Sequence, residues 1–281
     1  MKNSSKRVLI ITDFHFCQLE YYSVPRDEKL KRLIEQINEE YKKEPFEFIL
    51  FLGDYSLDFW QWVTKGTYLT EGKSYTEEFI EKLRPHLPTP YYMIAGNHEQ
   101  YGEEKWKEIT GFSRNGVMLL DDYVFILWDS YGENLDPTEH SDGTYTPIDV
   151  AKIREIMEAH KDKKFFLCSH YFIPTGTKEE KALINDSRII CLFTGHTHKS
   201  NVLTLPEDYG LKKLIQCGAW AEVSTDSIER CWGVRDVCLY DDKIISRYIV
   251  PDNEMWDDNG KKLTFTAHVS DEIEIPIKNF A

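Results

Sequence analysis

Five stretches of this 281-residue chain end an apolar run in residue types that hold metal ions. VLIITDFHFC, residues 8–17, turns polar at Asp13 and His15. FILFLGD closes on Asp54, YYMIAGNH on Asn97 and His98, FFLCSH on His170, and IICLFTGHTH on His196 and His198. Short runs that are apolar at successive positions predict buried strands of a parallel sheet. Side chains alternate across a strand, so Asp13 and His15 are expected to point the same way just past its end. Sites in open α/β sheets gather at the carboxyl ends of strands, so these runs would deliver eight polar side chains to one edge.

Taken singly, each has an ordinary reading. An Asp after a strand caps a helix, a lone His is a satisfied core residue, and a GD or GN is a turn. The specificity lies in the set. With His98 set aside, seven nitrogen and oxygen donors exceed the needs of one ion, since structural zinc takes about four ligands and catalytic zinc about three plus water. Two ions sharing a carboxylate, with positions left for water and substrate, would use them all. Imidazole and carboxylate without cysteine favour manganese, iron, zinc or nickel over calcium.

The elements that must position these residues alternate along the chain. Strands are expected near 7–12, 46–52 and 90–95, with helices near 27–43 and 74–86 between them and a short helix after the third. Paired strands near 115–128, a helix near 147–161 and strands at 164–169 and 188–194 follow. Antiparallel strands (LKKLIQC, WGVRDVCLY, KIISRYIV) fill the chain to about 250. This order predicts an α/β fold with a mixed sheet or two sheets. No repeat or Pro/Gly/Ser-rich linker divides it, so residues 1–281 are read as one domain, its C-terminal strands and acidic tail beginning near 200.

Composition narrows the function. A content of 41% hydrophobic residues describes a folded protein. A net charge of −14 argues against long nucleic acid as the main partner, which needs clustered Lys and Arg. A small phosphorylated substrate stays open, because bound ions can supply the local positive charge. There is no apolar stretch of about 18 residues, so no membrane association is expected. The first apolar run is too short for a secretory signal, and the six cysteines contain no CxxC pair. Reduced, buried thiols and a cytoplasmic location are the expectation. Oligomeric state is not legible.

In order, the motifs are D-x-H (Asp13, His15), G-D (Gly53, Asp54), G-N-H-E (96–99), a strand-terminal His170 and G-H-x-H (195–198). This series resembles the calcineurin-like metallophosphoesterases. The resemblance implies a two-sheet mixed β-sandwich flanked by helices, in four αββα layers, around a binuclear metal centre. It implies that Asp13, His15, Asp54 and His198 hold one ion, and that Asp54 bridges to a second held by Asn97, His170 and His196. His98 would lie outside the ligands, near the leaving group. The implied reaction is attack on phosphorus, in line, by a hydroxide shared between the ions, with His98 protonating the departing alkoxide. The otherwise ordinary reading of His98 is structural.

Several positions depart from that pattern. The acid that often orients the GNH histidine falls on Leu57, with Asp58 one residue later. Either a local bulge restores the contact, or Glu99 or a backbone carbonyl serves instead. The Arg-Gly extension of protein serine/threonine phosphatases is missing, Tyr55 directly follows Asp54, and Tyr171 stands where many relatives have a second histidine. The segment after Asp54 is rich in aromatics (Tyr55, Phe59, Trp60, Trp62, Tyr68), forming either an apolar substrate wall or a satellite core. A polar loop at 131–147 carries His140, which could reach a phosphate from the rim. The acidic tail after Pro251 is expected to pack across the domain or a partner. The expected activity is metal-dependent phosphoester hydrolysis, phosphodiesters ahead of monoesters. A nuclease of the same family and a silent interaction scaffold are the rivals.

Overall fold

Strand β1 (Lys6–Ile11) is apolar on both faces because both are covered. Leu9 and Ile11 face a helical layer, while Val8 and Ile10 face an opposing sheet. A computed structural model describes residues 6–60, 74–131, 143–223, 230–257 and 259–277. In it β1 pairs in parallel with β2 (Phe48–Phe51), which pairs in parallel with β3 (Tyr91–Met93). Helices α1 (Arg26–Lys43) and α2 (Tyr75–Leu83) lie in the two connections. A capping box at Ser74 and Glu77 starts α2.

Beyond α3 (Glu103–Thr110) the chain changes sheets. Strands β4 (Gly116–Leu120) and β5 (Tyr123–Trp128) form an antiparallel hairpin. Helix α4 (Val150–Ala159), β6 (Lys164–Ser169), α5 (Lys178–Ile184) and β7 (Ile189–Thr194) continue the second sheet in parallel. Strands β8 (Val202–Thr204) and β9 (Lys213–Gln216) complete it. Strands β10 (Val234–Leu239) and β11 (Lys243–Val250) return to the first sheet, β10 lying antiparallel to β1. A small hairpin of β12 (Asn253–Trp256) and β13 (Lys262–Phe265) precedes β14 (His268–Pro276). The strand orders are β14-β11-β10-β1-β2-β3 and β4-β5-β6-β7-β9-β8.

The two sheets pack face to face through Val8, Ile10, Phe48, Leu50, Phe125, Phe166 and Phe193. Phe48 of one sheet meets Phe125 of the other edge-on at 5.4 Å, and Phe125 meets Phe166 at 4.7 Å. The outer face of the first sheet packs on α1, α2 and α3, and that of the second on α4 and α5. The architecture is therefore the expected αββα arrangement of two mixed sheets. No helix among the described residues is long and apolar enough to cross a membrane.

Two details differ from the sequence reading. Strand β9 runs parallel to β7, because β8 turns back along its outer side rather than separating the two. Helix α5 was not foreseen, since seven residues are too few to display a helical period. The tail packs across the domain, one of the two arrangements expected: β14 adds to β11, and Met255 and Leu263 of the hairpin join the layer containing α1.

Phe166 is fully buried at the centre of the inter-sheet aromatic cluster. Phe166→Ala is expected to lower the unfolding free energy by about 3–5 kcal/mol in a urea titration. Leu119→Ala, at a largely exposed position, should change it by less than about 0.5 kcal/mol. Equal losses would contradict the placement of the core.

Candidate metal centre

The strand ends reach the common edge through turns that extended backbone cannot make. Asp13, His15, Asp54, His196 and His198 all have left-handed φ, at 53°, 55°, 55°, 67° and 54°. Their convergence is thus not simple strand alternation. Each such residue costs on the order of 1–3 kcal/mol, so the surroundings must over-determine it. Backbone hydrogen bonds between loops supply much of that. The N–H of Asp13 donates to Gly53 O and that of His15 to Asp54 O, both at 3.0 Å, while Trp220 N–H donates to Asp13 O at 3.0 Å. Gly53, at φ 94°, and Gly96 let two loops touch. A Cβ on Gly96 would stand 2.1 Å from Asp54 Oδ1.

Ligand atoms from both sheets meet at this edge. Asp13, His15 and His198 each offer one atom within 4.8 Å of the others, and so do Asp54, His170 and His196. His15, Asp54 and His98 form a third such group, linking the first two. His170 Nε2 lies 3.1 Å from Asp54 Oδ2, and His15 Nε2 lies 3.7 Å from the same oxygen. His198 Nε2 is 3.3 Å from Asp13 Oδ1. Asn97 Oδ1 is 2.9 Å from both His170 Nε2 and His196 Nδ1. His170 Nδ1–H donates to Leu52 O at 2.7 Å, which leaves Nε2 to face the site. His15 Nε2 is buried without a hydrogen bond. A buried, partnerless imidazole nitrogen beside convergent oxygen donors fits metal ions.

Burial resists charge on every member, and the neighbours then divide them. It lowers His15 and His196 to about 4, so both rings are neutral. It opposes charge on His170 too, yet the carboxylates of Asp54 and Asp13 raise that ring to about 9. Asp13 and Glu222 likewise overcome burial and raise His198 to about 10. Burial pushes Asp13 and Asp54 up, but the imidazoles, His170 first, hold both below the usual carboxylate range.

The residues around the ligands take distinct roles. Asp58 does not turn toward His98. Its carboxylate accepts the N–H groups of Tyr75 and Thr76 at 2.7 and 3.0 Å and the Tyr101 hydroxyl at 2.6 Å, fastening its loop to the start of α2. Glu99 also serves the backbone, accepting the N–H groups of Asp54, Ser56 and Gly96 at 2.8, 2.9 and 3.0 Å. Burial and the Asp54 carboxylate push Glu99 up to about 8, against the pull of those N–H groups. The N–H of His98 donates to Asp54 Oδ1 at 3.0 Å, while its buried Nδ1 has no partner. The Trp60 ring lies 6.2 Å from that of His98, and Tyr171 packs on His196 at 4.3 Å. Tyr55 and Phe59 are core residues, whereas Trp62 and His140 lie outside the described residues.

Four contributors carried no sequence signal. Glu222 lies 3.4 Å from His198 Nδ1, and Tyr131 hydroxyl lies 3.4 Å from His196 Nδ1. Tyr21 hydroxyl lies 3.4 Å from His15 Nδ1. Lys29 is fully buried beside the rings of Phe14 and Tyr21, 4.4 and 4.2 Å from their centres, and donates to Phe14 O at 2.6 Å. Phe14 sits between Asp13 and His15, so this ammonium anchors the first ligand turn. Burial lowers Lys29 to about 7.

The calcineurin-like phosphoesterase family model matches residues 6–200. No curated protein matches by sequence. Among solved structures, purple acid phosphatase PPD1 from yellow lupin (Lupinus luteus) seeds superposes with a TM-score of 0.60 at 14% identity, over 98% of this chain and 54% of that one. The present chain therefore spans about half the length of the lupin protein. GAP50, the anchor in the inner membrane complex of Plasmodium, gives 0.58 at 11% identity, over 98% and 90% of the two chains. PhoD gives 0.57 at 10% identity, over 92% and 68%. At these identities the likeness is one of fold.

Metal loading must displace the protons of His170 and His198, whose values of about 9 and 10 lie above neutrality. Loading at pH 7 is thus expected to release close to two protons, and apparent affinity should rise with pH between 6 and 8.5. Calorimetry in buffers of different ionisation enthalpy measures this, and loading without proton release would contradict it. Lys29→Met should weaken manganese binding by up to about tenfold, the scale of a lost buried hydrogen bond, with an unchanged far-ultraviolet spectrum. Unchanged metal affinity would remove Lys29 from any part in holding the turn.

Proposed function

Because the chain belongs to the calcineurin-like phosphoesterase family, we propose that it is a hydrolase with a two-ion centre that cleaves small phosphodiesters ahead of monoesters. The observation that carries the reading is the sharing of Asp54 and His15 among ligand groups contributed by both sheets. Asp13, His15, Asp54 and His198 would hold one ion, and Asp54, Asn97, His170 and His196 the other. Manganese, iron, zinc and nickel all suit this set of nitrogen and oxygen donors. When bound, the ions would lower the pKa of a water and set positive charge against the phosphoryl oxygens.

The chain's own groups supply the rest. The carbonyl of Leu52 and the carboxylate of Glu222 orient the rings of His170 and His198. His98 is the proton donor to the leaving oxygen. Its Nε2 lies 3.8 Å from Asp54 Oδ2, at the edge of the ligand set, and its ring stands edge-on to His15 at 5.3 Å. Trp60 beside it gives the leaving group an apolar neighbour. On the opposite side, Tyr131, Tyr145 and Tyr171 form an aromatic border around His196. Organic surfaces on two sides suit a diester monoanion with a substituent at each end better than a monoester dianion. The net charge of −14 favours a small substrate over a long polyanion.

Protein stripped by chelation and reloaded with manganese is expected to hydrolyse bis-p-nitrophenyl phosphate faster than p-nitrophenyl phosphate. His98→Ala should lower turnover by about 10²–10⁴-fold for a cyclic nucleotide, whose leaving group is an alkoxide. The loss should be much smaller for a p-nitrophenyl ester, whose leaving group needs no proton. A preference for the monoester would transfer the reading to phosphomonoesters. Inactivity toward all of these in protein shown to hold two ions would overturn it.

A further inference from the structure

The candidate ligands are not equally covered. Asp13, His15, Asp54, Asn97 and His170 are buried, whereas His196 and His198 are partly exposed. The centre therefore opens to solvent on the side of these two rings. Tyr171 stands at that opening. Its ring lies 4.3 Å from that of His196, inclined by 40°, and is itself partly exposed.

Neighbouring groups fix this ring in place. The Tyr171 N–H donates to Ser130 Oγ at 3.1 Å, and its carbonyl accepts the Ser169 hydroxyl at 2.8 Å. Tyr145 meets the ring edge-on at 6.0 Å. Tyr145 is held in turn by its hydroxyl, which accepts Ile173 N–H at 2.9 Å and donates to Ile173 O at 3.3 Å. A flat aromatic surface set before a ligand arrives loses little freedom on contact.

We propose that Tyr171 is a specificity-determining residue whose ring stacks on a planar aromatic group carried by the retained ester oxygen of the substrate. The proposal rests on the phosphoesterase reading, with His98 beside Trp60 serving the leaving oxygen. In-line displacement carries that oxygen away along an axis through phosphorus, while the retained ester oxygen stays in the plane across it. The two substituents thus leave phosphorus in different directions and meet different surfaces. Trp60 adjoins the first, and Tyr171 offers the second an aromatic face on the open side. A ring stacked equally well before and during bond cleavage acts on KM rather than kcat.

Methyl, phenyl and thymidinyl esters of p-nitrophenyl phosphate share one leaving group and differ in the retained arm. With manganese-loaded protein, the phenyl or thymidinyl ester is expected to exceed the methyl ester in kcat/KM by about fivefold or more, the scale of one stacked ring, chiefly through KM. A lead for phenyl would identify an aryl ester as the carrier of the ring, and a lead for thymidinyl a nucleoside. Tyr171→Ala should bring the ratio near one, and Tyr171→Phe should retain it. Calorimetry gives a readout without turnover: phenylphosphonate should bind the loaded protein about fivefold or more tighter than methylphosphonate, and Tyr171→Ala should remove that difference. A ratio near one in the unaltered protein, a ratio kept in Tyr171→Ala, or its loss in Trp60→Ala instead would overturn the proposal. Failure to cleave any ester in protein shown to hold two ions would overturn the phosphoesterase reading, and equal affinities for the two phosphonates would overturn the assignment to Tyr171.

Discussion

The Asp54 carboxylate is where the two sheets are joined chemically. It lies in the turn that follows β2 of the first sheet, yet its nearest imidazole, 3.1 Å away, is His170, which follows β6 in the second. Asp13 repeats the connection from β1, accepting the N–H of His196 at 2.9 Å and standing 3.3 Å from His198. The groups that contain His170, His196 or His198 each draw on both sheets. The aromatic core between the sheets therefore does more than stabilise the fold, because it sets the distance across which these groups meet. Shifting one sheet by an ångström would leave each half intact and disperse the site.

That demand explains the strain at the edge. Five ligand residues hold left-handed backbone, unfavourable for residues with a Cβ, and the same turns are cross-linked from several sides. Glu99 joins the Gly53–Asp54 turn to the Gly96–Asn97 turn through three backbone N–H groups. Lys29 fixes the turn between Asp13 and His15 from beneath. These cross-links hold the carboxylates and imidazoles in one arrangement, which limits the reordering that would oppose metal binding.

The strands and the residue types gathered at their ends were legible because both depend on local pattern. A run apolar on both faces must be covered on both, and five such runs ended in donor residues. What escaped depends on geometry between distant segments. Glu222 reaches His198 from a loop with no periodicity, and Lys29 looks like any charged position on an amphipathic helix until its tip is found under Phe14. Asp58 looked able to orient His98, but the N–H groups at the start of α2 and the Tyr101 hydroxyl claim it. Left-handed φ at Asp and His carries no sequence mark of the kind glycine gives. The parallel placement of β9 was hidden because hairpin spacing does not reveal which neighbour a strand will join.

The position of β1 also shapes how the molecule is made. It is a central strand, flanked on one side by β2 and on the other by β10, and the buried ion pair between them links Arg7 to Asp236, 229 positions apart. On the ribosome, the strand that carries Asp13 and His15 emerges long before its second neighbour exists. Until then it presents a bare apolar edge to the cell, and loop closure over that distance delays its burial. Pairing of β1 with β10 is therefore a long-range step in the folding of this sheet.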